Sequence, residues 1–256
     1  MAMRQHDWDV EVLKDNPAFQ TDHYGIPIET RHIRYPIRML RYWFMYHLLR
    51  EEAARNTALD VCEIGVDLGQ MRGFLNAATA LGGAPVAFAS WDAVDALIRH
   101  DTLKRIGYDT FYEVDLESPE FTLGHKAYDA MILLHVLEHL FKPETLITKL
   151  VPHLKPGGML IGGFPSTPDF LVTSRENTIR PTARKFGHVS VFSPRRVRDM
   201  AAANGLRVEF LSGAFLMRKK GFFLENHKWW LRFNVRFGAV FPSWPGEIYW
   251  MLRKPA

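Results

Sequence analysis

Residues 59–69, Leu-Asp-Val-Cys-Glu-Ile-Gly-Val-Asp-Leu-Gly, decide the fold of this 256-residue chain. The mainly apolar segment 59–64 predicts a buried strand, and a helix is predicted over 70–81. Gly65 and Gly69 lie in the turn between the two elements. Glycines let the backbone approach a ligand closely, and the first N–H groups of a helix are free to bind it. The stretch therefore predicts an α/β protein that binds a nucleotide-like ligand at this turn.

Strands and helices alternate along the rest of the chain, as they do in a doubly wound parallel sheet. The predicted strands span 59–64, 85–90, 110–114, 128–134, 159–163, 206–211 and 247–253, and the predicted helices span 36–55, 70–81, 93–106, 143–153 and 193–204. Ligands of such sheets bind beyond the carboxyl ends of the strands. We therefore expect Gly65, Asp92, Asp115 and His135 along one edge of the sheet.

Four regions follow from this pattern. We expect an N-terminal extension with a helix over 1–57, a ligand-binding core over 58–214, an aromatic and basic insertion over 215–246, and the last strand of the core sheet within 247–256. No internal repeat is present.

The composition is that of a globular protein, with 47% hydrophobic and 23% charged residues. Cys62 is the single cysteine, which excludes a disulfide framework and a thiolate zinc site. No apolar run of about 18 residues and no signal-peptide pattern occur. We expect a cytoplasmic protein, with peripheral membrane contact as an alternative. The net charge of +4 does not by itself indicate a nucleic-acid partner, and we expect none.

Four short segments carry motifs. Residues 63–69 read Glu-Ile-Gly-Val-Asp-Leu-Gly, 128–139 read Tyr-Asp-Ala-Met-Ile-Leu-Leu-His-Val-Leu-Glu-His, 154–161 read Leu-Lys-Pro-Gly-Gly-Met-Leu-Ile, and 187–194 read Gly-His-Val-Ser-Val-Phe-Ser-Pro. In this order they resemble the motifs of class I S-adenosylmethionine (SAM)-dependent methyltransferases, with Asp67 at the usual place of the middle glycine. Within that family the pattern is similar to the small-molecule enzymes that include the ubiquinone-biosynthesis O-methyltransferases.

The resemblance implies a Rossmann-like seven-stranded sheet with an antiparallel last strand. It also implies SAM as the cofactor and S-adenosylhomocysteine (SAH) as its product. The residues expected to bind the cofactor are Glu63, Gly65, Asp67, Gly69, Asp92, Asp115 and His135. Asp92 is expected at the ribose, because a carboxylate accepts two hydroxyl hydrogen bonds, and Asp115 at the adenine.

Two histidines of the motifs are the candidate catalytic residues. Methyl transfer mainly requires alignment of the reacting atoms, and an oxygen or nitrogen nucleophile also benefits from a base. We assign this role to His188 and His139, with a structural Glu-His pair as the alternative for His139. A divalent-metal site formed by His135, Glu138, His139 and His188 is a further hypothesis, although we expect no metal.

The insertion is rich in aromatic residues, since residues 215–250 contain 11 of the chain's 33. On a helix, Trp229, Phe233, Phe237 and Phe241 form a stripe beside Lys228, Arg232 and Arg236. Three interpretations stay open: packing on the core, a wall of the acceptor site, or membrane contact. A second set at helical spacing, Arg31, Arg34, Arg38 and Arg41, either binds an acidic acceptor group or is solvated.

The leading hypothesis is O-methylation of a small or lipid-linked acceptor, such as a glycan sugar, a quinone-like aromatic or a natural product. A non-catalytic methyltransferase-fold subunit that binds a partner through 215–246 is the alternative from another class. A nicotinamide dehydrogenase is disfavoured by the glycine spacing. The sequence specifies no oligomeric state.

Overall fold

A seven-stranded sheet forms the centre of the computed structural model, which describes residues 4–17, 33–184, 187–217, 219 and 222–256. The strands are β1 (Leu59–Ile64), β2 (Phe88–Asp95), β3 (Phe111–Glu113), β4 (Tyr128–Leu134), β5 (Leu154–Ser166), β6 (Arg207–Gly213) and β7 (Gly246–Arg253). Their spatial order is β3-β2-β1-β4-β5-β7-β6, and β7 is antiparallel to both of its neighbours. The predicted fold class, with its antiparallel last strand, is confirmed.

Helices cover both faces of the sheet. Those in the described residues are α1 (Leu40–Ala53), α2 (Gln70–Ala80), α3 (His100–Ile106), α4 (Pro143–Leu150), α5 (Val172–Ile179), α6 (Pro194–Ala203) and α7 (Lys228–Val240). Side chains of α1, α2, α3 and α7 join the core on one face, and those of α4 and α6 join it on the other. Because β1 and β4 are covered on both sides, most of their residues are apolar, and residues 130–134 of β4 form an uninterrupted apolar run.

Local sequence explains several helix boundaries. The Ser193 side chain accepts a hydrogen bond from the backbone N–H of Arg196, and Pro194 occupies the first helical position of α6. Pro36 precedes the 3₁₀ turn Ile37–Met39, so α1 starts at Leu40 rather than at the predicted residue 36. α5 lies in the proline-rich stretch 164–190, where no helix is predicted from sequence.

Two strands differ from the prediction. β5 includes the predicted Lys-Pro-Gly-Gly turn at 155–158 and continues to Ser166. β2 begins and ends later than the predicted strand 85–90, and its register pairs Ile64 with Val94. The carboxyl end of β2 is therefore Asp95, and α3 begins only at His100.

The N-terminal extension and the insertion before β7 contact each other, although they are far apart in sequence. The backbone N–H of Ile37 donates to Oε2 of Glu225 across 3.3 Å, and that of Tyr35 donates to the Glu225 carbonyl across 2.9 Å. Arg232 donates to the carbonyl of His6. Trp8 stacks on Phe210 of β6 with a centroid separation of 5.6 Å. The two additions therefore pack together beside the β6 edge of the sheet.

Candidate active site

A cleft with a volume of about 750 Å³ opens at the carboxyl edge of the sheet. It is bordered by the segments that follow β1, β2, β3 and β4. Its lining includes Gly65, Asp67, Asp95, Asp115, His135 and His139. This is the edge at which open α/β sheets bind their ligands.

The turn after β1 brings the backbone close to the neighbouring loop. Gly65 has φ +73°, and a Cβ atom added to it would lie 2.4 Å from Cγ2 of Val136. Asp67 also has a positive φ, of 45°, which aspartate tolerates better than most residues. The Asp67 backbone N–H donates to Oδ2 of Asp95 across 3.0 Å. The predicted turn is therefore present, and β2 holds it in place.

Asp92 does not lie at the strand end, so the prediction of its position is wrong. It is fully buried within β2. Its Oδ2 is 2.7 Å from Nζ of Lys126 and accepts a 2.8 Å hydrogen bond from the hydroxyl of Tyr128. The Lys126 ammonium compensates the buried charge, which is why a charged residue can lie inside this strand.

Asp95 occupies the position expected of Asp92. It is the last residue of β2 and lines the cleft beside the glycine turn. Its Oδ1 also accepts a 3.4 Å hydrogen bond from the backbone N–H of Leu97. The apolar residues Trp91, Ala93 and Val94 around Asp92 would have indicated the longer strand.

Glu63 and Gly69 belong to the support of the turn and do not line the cleft. Oε2 of Glu63 accepts hydrogen bonds from the hydroxyl of Tyr108 at 2.6 Å and from Nε1 of Trp91 at 3.2 Å. Burial raises the pKa of Glu63 to about 7, although both hydrogen bonds lower it. A Cβ at Gly69 would lie 2.9 Å from Cδ2 of Leu103, so this glycine permits close packing on α3. Neither residue faces the cleft as predicted.

Asp115 lies where the sequence predicted it, just beyond β3 and exposed in the cleft. Its Oδ1 accepts a 2.9 Å hydrogen bond from the backbone N–H of Glu117. Gly65, Asp95 and Asp115 thus lie at the carboxyl ends of three neighbouring strands, in spatial order.

His135 follows β4 and lies between two carboxylates. Its Nδ1 is 3.0 Å from Oε1 of Glu138, and its Nε2 is 3.7 Å from Oε1 of Glu247. The first contact is electrostatic rather than a well-aligned hydrogen bond. Burial opposes a charge on the imidazole, but the interactions with Glu138 and Glu247 outweigh it and raise the pKa of His135.

Glu247 is a site residue that was not predicted from sequence. Arg41 belongs to a set of arginines whose role the sequence left open. Nη2 of Arg41 donates to Oε1 of Glu247 across 2.9 Å, and the hydroxyl of Tyr249 also bonds the Glu247 carboxylate. Glu247 reaches this edge because β7 is antiparallel and begins where the parallel strands end. Arg31, from the same predicted arginine set, lies outside the described residues.

His139 and His188 come together at one end of the cleft. Their rings meet edge to face with centroids 4.8 Å apart. Nδ1 of His139 is 3.3 Å from the Gly187 carbonyl, and the Glu138 carbonyl accepts the N–H groups of Val189 and Ser190. Partial burial lowers the pKa of His188 despite the nearby Glu138 carboxylate.

Part of the metal hypothesis also has a structural counterpart. Glu138, His139 and His188 offer ligand atoms within 4.8 Å of one another, and these residue types bind divalent cations. His135 is not a member of this group, although its Nδ1 contacts Oε1 of Glu138 and its Nε2 lies 3.7 Å from Oε1 of Glu247. The structure thus brings together three of the four residues.

The cleft fits the adenosyl ligand that the resemblance implies. Its volume is that of a small-molecule site. The backbone approaches closely at Gly65, and carboxylates follow at Asp95 and Asp115. An elongated ligand with an amino-acid end, a ribose and a base has polar partners in this order.

Comparisons with known proteins agree with this interpretation. A family model described as a methyltransferase domain matches residues 37–210. No curated protein matches the chain by sequence.

Three solved structures illustrate the likeness of fold. An O-methyltransferase family protein from Burkholderia thailandensis superimposes with a TM-score of 0.53 at 14% identity, over 86% of this chain and 57% of that one. A putative methyltransferase from Bacillus halodurans gives 0.51 at 17% identity, over 82% and 99%. The N-methyltransferase NodS from Bradyrhizobium japonicum, in complex with SAH, gives 0.50 at 14% identity, over 96% and 95%.

The chain spans little more than half of the Burkholderia protein, and at these identities the likeness concerns the fold alone. The family match, in contrast, covers well over half of this chain. The chain therefore belongs to the methyltransferase domain family and is a SAM-dependent methyltransferase.

Proposed function

We propose that the protein transfers the methyl group of SAM to an oxygen atom of a small or lipid-linked acceptor. The observation that carries this proposal is the His139–His188 pair at the end of the cofactor cleft. A hydroxyl group is a weak nucleophile until a base takes its proton. An imidazole at the acceptor end therefore supports an oxygen nucleophile.

The cofactor end would be held by the residues that follow the first three strands. When bound, SAM supplies a methyl group on a positively charged sulfur. The turn at Gly65 and Asp67 would hold its amino-acid end, Asp95 would accept the ribose hydroxyls, and Asp115 would contact the base. The Asp95 carboxylate would both bind the ribose and fix the turn, because it also accepts the hydrogen bond from the Asp67 N–H.

His188 is the base in this proposal. Its lowered pKa keeps the imidazole neutral near pH 7, so that a nitrogen lone pair is available for the acceptor proton. His139 is a positioning residue, because its contact with the Gly187 carbonyl fixes the ring that packs against His188. Part of the His188 side chain remains exposed, so the proton can pass on to solvent.

The neighbouring polar groups support a hydroxylated acceptor. Nε of Arg41 and Nε2 of His135 are buried and have no hydrogen-bond partner among the described residues. A buried polar group without a hydrogen-bond partner destabilises the folded state unless a ligand or a water molecule supplies that partner. Sugar hydroxyls or similar oxygens would provide the missing partners beside Glu247.

An acceptor panel tests the proposal. The protein would be incubated with methyl-labelled SAM and matched pairs of hydroxyl and amine acceptors, namely sugars with amino sugars and phenols with anilines. Mass spectrometry should detect methyl ethers. Methylamines without ethers would refute the assignment to oxygen.

The same assay separates a base from a metal site. If His188 acts as the base, turnover should be the same before and after treatment with EDTA. Loss of turnover with EDTA, restored by a divalent cation, would instead assign Glu138, His139 and His188 to a metal ion.

A further inference from the structure

One face of α7 and the residues that follow it carry four exposed aromatic rings and the partly exposed ring of Phe237. The exposed fractions are 57% for Trp229, 42% for Phe233, 53% for Phe241 and 46% for Trp244. Neighbouring rings touch, with centroid separations of 6.2 Å for Phe233–Phe237, 5.0 Å for Phe237–Phe241 and 5.4 Å for Phe237–Trp244. We call Trp229, Phe233, Phe237, Phe241 and Trp244 the aromatic strip. Contiguous exposed apolar surface of this kind indicates an interaction site.

The opposite face of α7 already packs on the core. Trp230, Leu231 and Val235 are buried there. A Cβ at Gly238 would lie 2.3 Å from the carbonyl carbon of Gly213, so the helix is pressed against β6. Core packing therefore accounts for this second face and leaves the aromatic strip exposed.

The segment that bears the strip is strongly basic. Residues 215–246 contain six lysines and arginines and one glutamate, a net charge of +5, whereas the whole chain carries +4. The single acidic residue, Glu225, is buried and bonded to Ile37. All of the chain's excess positive charge therefore lies in the segment that carries the strip.

Some of these cations also hold the N-terminal extension. Lys228 pairs with Glu11, while Arg232 and Arg236 contact the carbonyl and the ring of His6. The carboxylates of the extension offset part of the charge. Arg236 nevertheless remains exposed, and half of the Lys228 side chain faces solvent.

The strip ends at the edge of the sheet where the cofactor cleft opens. The carbonyl of Trp244 accepts a 3.2 Å hydrogen bond from Oγ of Ser166, the last residue of β5. Three residues after Trp244, Glu247 faces His135 of the cleft lining. A surface bound to the strip would therefore lie next to the site.

We propose that the aromatic strip docks on an anionic phospholipid surface, and that the acceptor is a lipid-linked molecule presented from that surface. The rings would enter the boundary between headgroups and acyl chains, and the basic side chains would lie near lipid phosphates. No helix among the described residues is long and apolar enough to cross a bilayer. The proposed contact is peripheral, with α7 lying along the surface. The part concerning the acceptor rests on the proposed methyl transfer.

Charge complementarity favours a membrane over a protein partner. An anionic bilayer matches an aromatic row that has Lys228, Arg232 and Arg236 beside it on a 13-residue helix. Removal of apolar side chains should weaken such binding, and added salt should weaken its electrostatic part.

Vesicle co-sedimentation tests the docking. The full chain would be mixed with vesicles of phosphatidylcholine alone or with added phosphatidylglycerol. We expect the wild type to pellet with the anionic vesicles, and Trp229→Ser and Phe233→Ser each to weaken binding about tenfold. Leu81→Ser is the matched control, because Leu81 is 42% exposed at the end of α2, away from the strip. Circular dichroism would check that each variant folds.

Three results would overturn the inference. The wild type could stay in the supernatant with every vesicle. The Trp229→Ser and Phe233→Ser variants could abolish a dimer rather than vesicle binding, which would make a second copy the occupant. Both variants could also retain wild-type turnover on a vesicle-borne acceptor, which would overturn the lipid-linked acceptor. Calorimetry with SAM is independent of all three: vesicle binding without SAM binding would refute the proposed function and leave the docking intact.

Discussion

The backbone N–H of Asp67 donates a hydrogen bond to Oδ2 of Asp95 across 3.0 Å. This bond joins the turn after β1 to the carboxyl end of β2, and both residues line the cleft. The carboxylate of Asp95 therefore shapes the cofactor site as well as facing it.

The first prediction concerns this carboxylate. Asp95→Ala should weaken SAM binding about 10- to 100-fold, because hydrogen bonds to a charged group are lost and the turn is released. Isothermal titration calorimetry measures the effect. Asp101→Ala, an exposed aspartate at the start of α3, is the control and should keep wild-type affinity. Wild-type affinity of the Asp95 variant would contradict the assignment.

The second prediction separates Asp92 from Asp95. Asp92→Asn should lower the free energy of unfolding by about 1–3 kcal/mol, since Lys126 loses its anionic partner and keeps the neutral hydroxyl of Ser90. SAM affinity should be unchanged, because Asp92 lies within the strand and away from the cleft. Urea denaturation and calorimetry measure the two quantities. A loss of SAM affinity at unchanged stability would instead support the sequence-based prediction that Asp92 binds the cofactor.

The misplacement of Asp92 shows that local sequence patterns do not reveal contacts between residues far apart in the chain. β4 was predicted with its observed bounds, because an apolar run buried on both faces needs no distant partner to be recognised. In the sequence, an aspartate after an apolar run indicates the end of a strand, unless the cation that pairs with it inside the strand is known. Lys126 is 34 residues away and is brought close only by the fold.

The acceptor side of the site could be predicted less well for the same reason. Arg41 and Glu247 are 206 residues apart, and their contact depends on α1 lying over an antiparallel last strand. Local motifs identified His135, His139 and His188 as candidates. They could not show that Glu247 contacts His135 or that Glu63 is buried with Tyr108 rather than lining the cleft.

The third prediction tests the proposed base. His188→Gln should reduce turnover on the true acceptor by about 10²- to 10⁴-fold, the usual contribution of a positioned base. SAM affinity should stay at the wild-type value, because His188 is not among the residues expected to hold the cofactor. His125→Gln, an exposed histidine outside the cleft lining, is the control. Unchanged turnover would remove His188 from the mechanism.

The fourth prediction compares two helical glycines. Gly238→Ala should destabilise the protein by about 1–3 kcal/mol, because the new methyl group would overlap the backbone of Gly213. Gly73→Ala should stabilise it by about 0.5–1 kcal/mol, since no atom lies within 4 Å of that Cβ and alanine is the better helix former. Urea denaturation of both variants should show opposite signs. Equal effects would contradict the close packing of α7 on β6.

The last prediction concerns the pH dependence of stability. Burial raises the pKa of Glu63 to about 7, from 4.5 for an exposed glutamate. Between these values the folded state binds more protons than the unfolded state, so this group makes stability fall as the pH rises. The Gln variant is neutral at every pH, and its amide oxygen can still accept the hydrogen bonds from Tyr108 and Trp91.

Glu63→Gln should therefore match the wild type near pH 4 and be more stable by about 2–3 kcal/mol at pH 8. Urea denaturation across this range measures the difference. A variant that is less stable at pH 8 would mean that ionised Glu63 has a cationic partner in the folded state. Arg72, whose charge lowers the Glu63 pKa, is the group that would have to supply it.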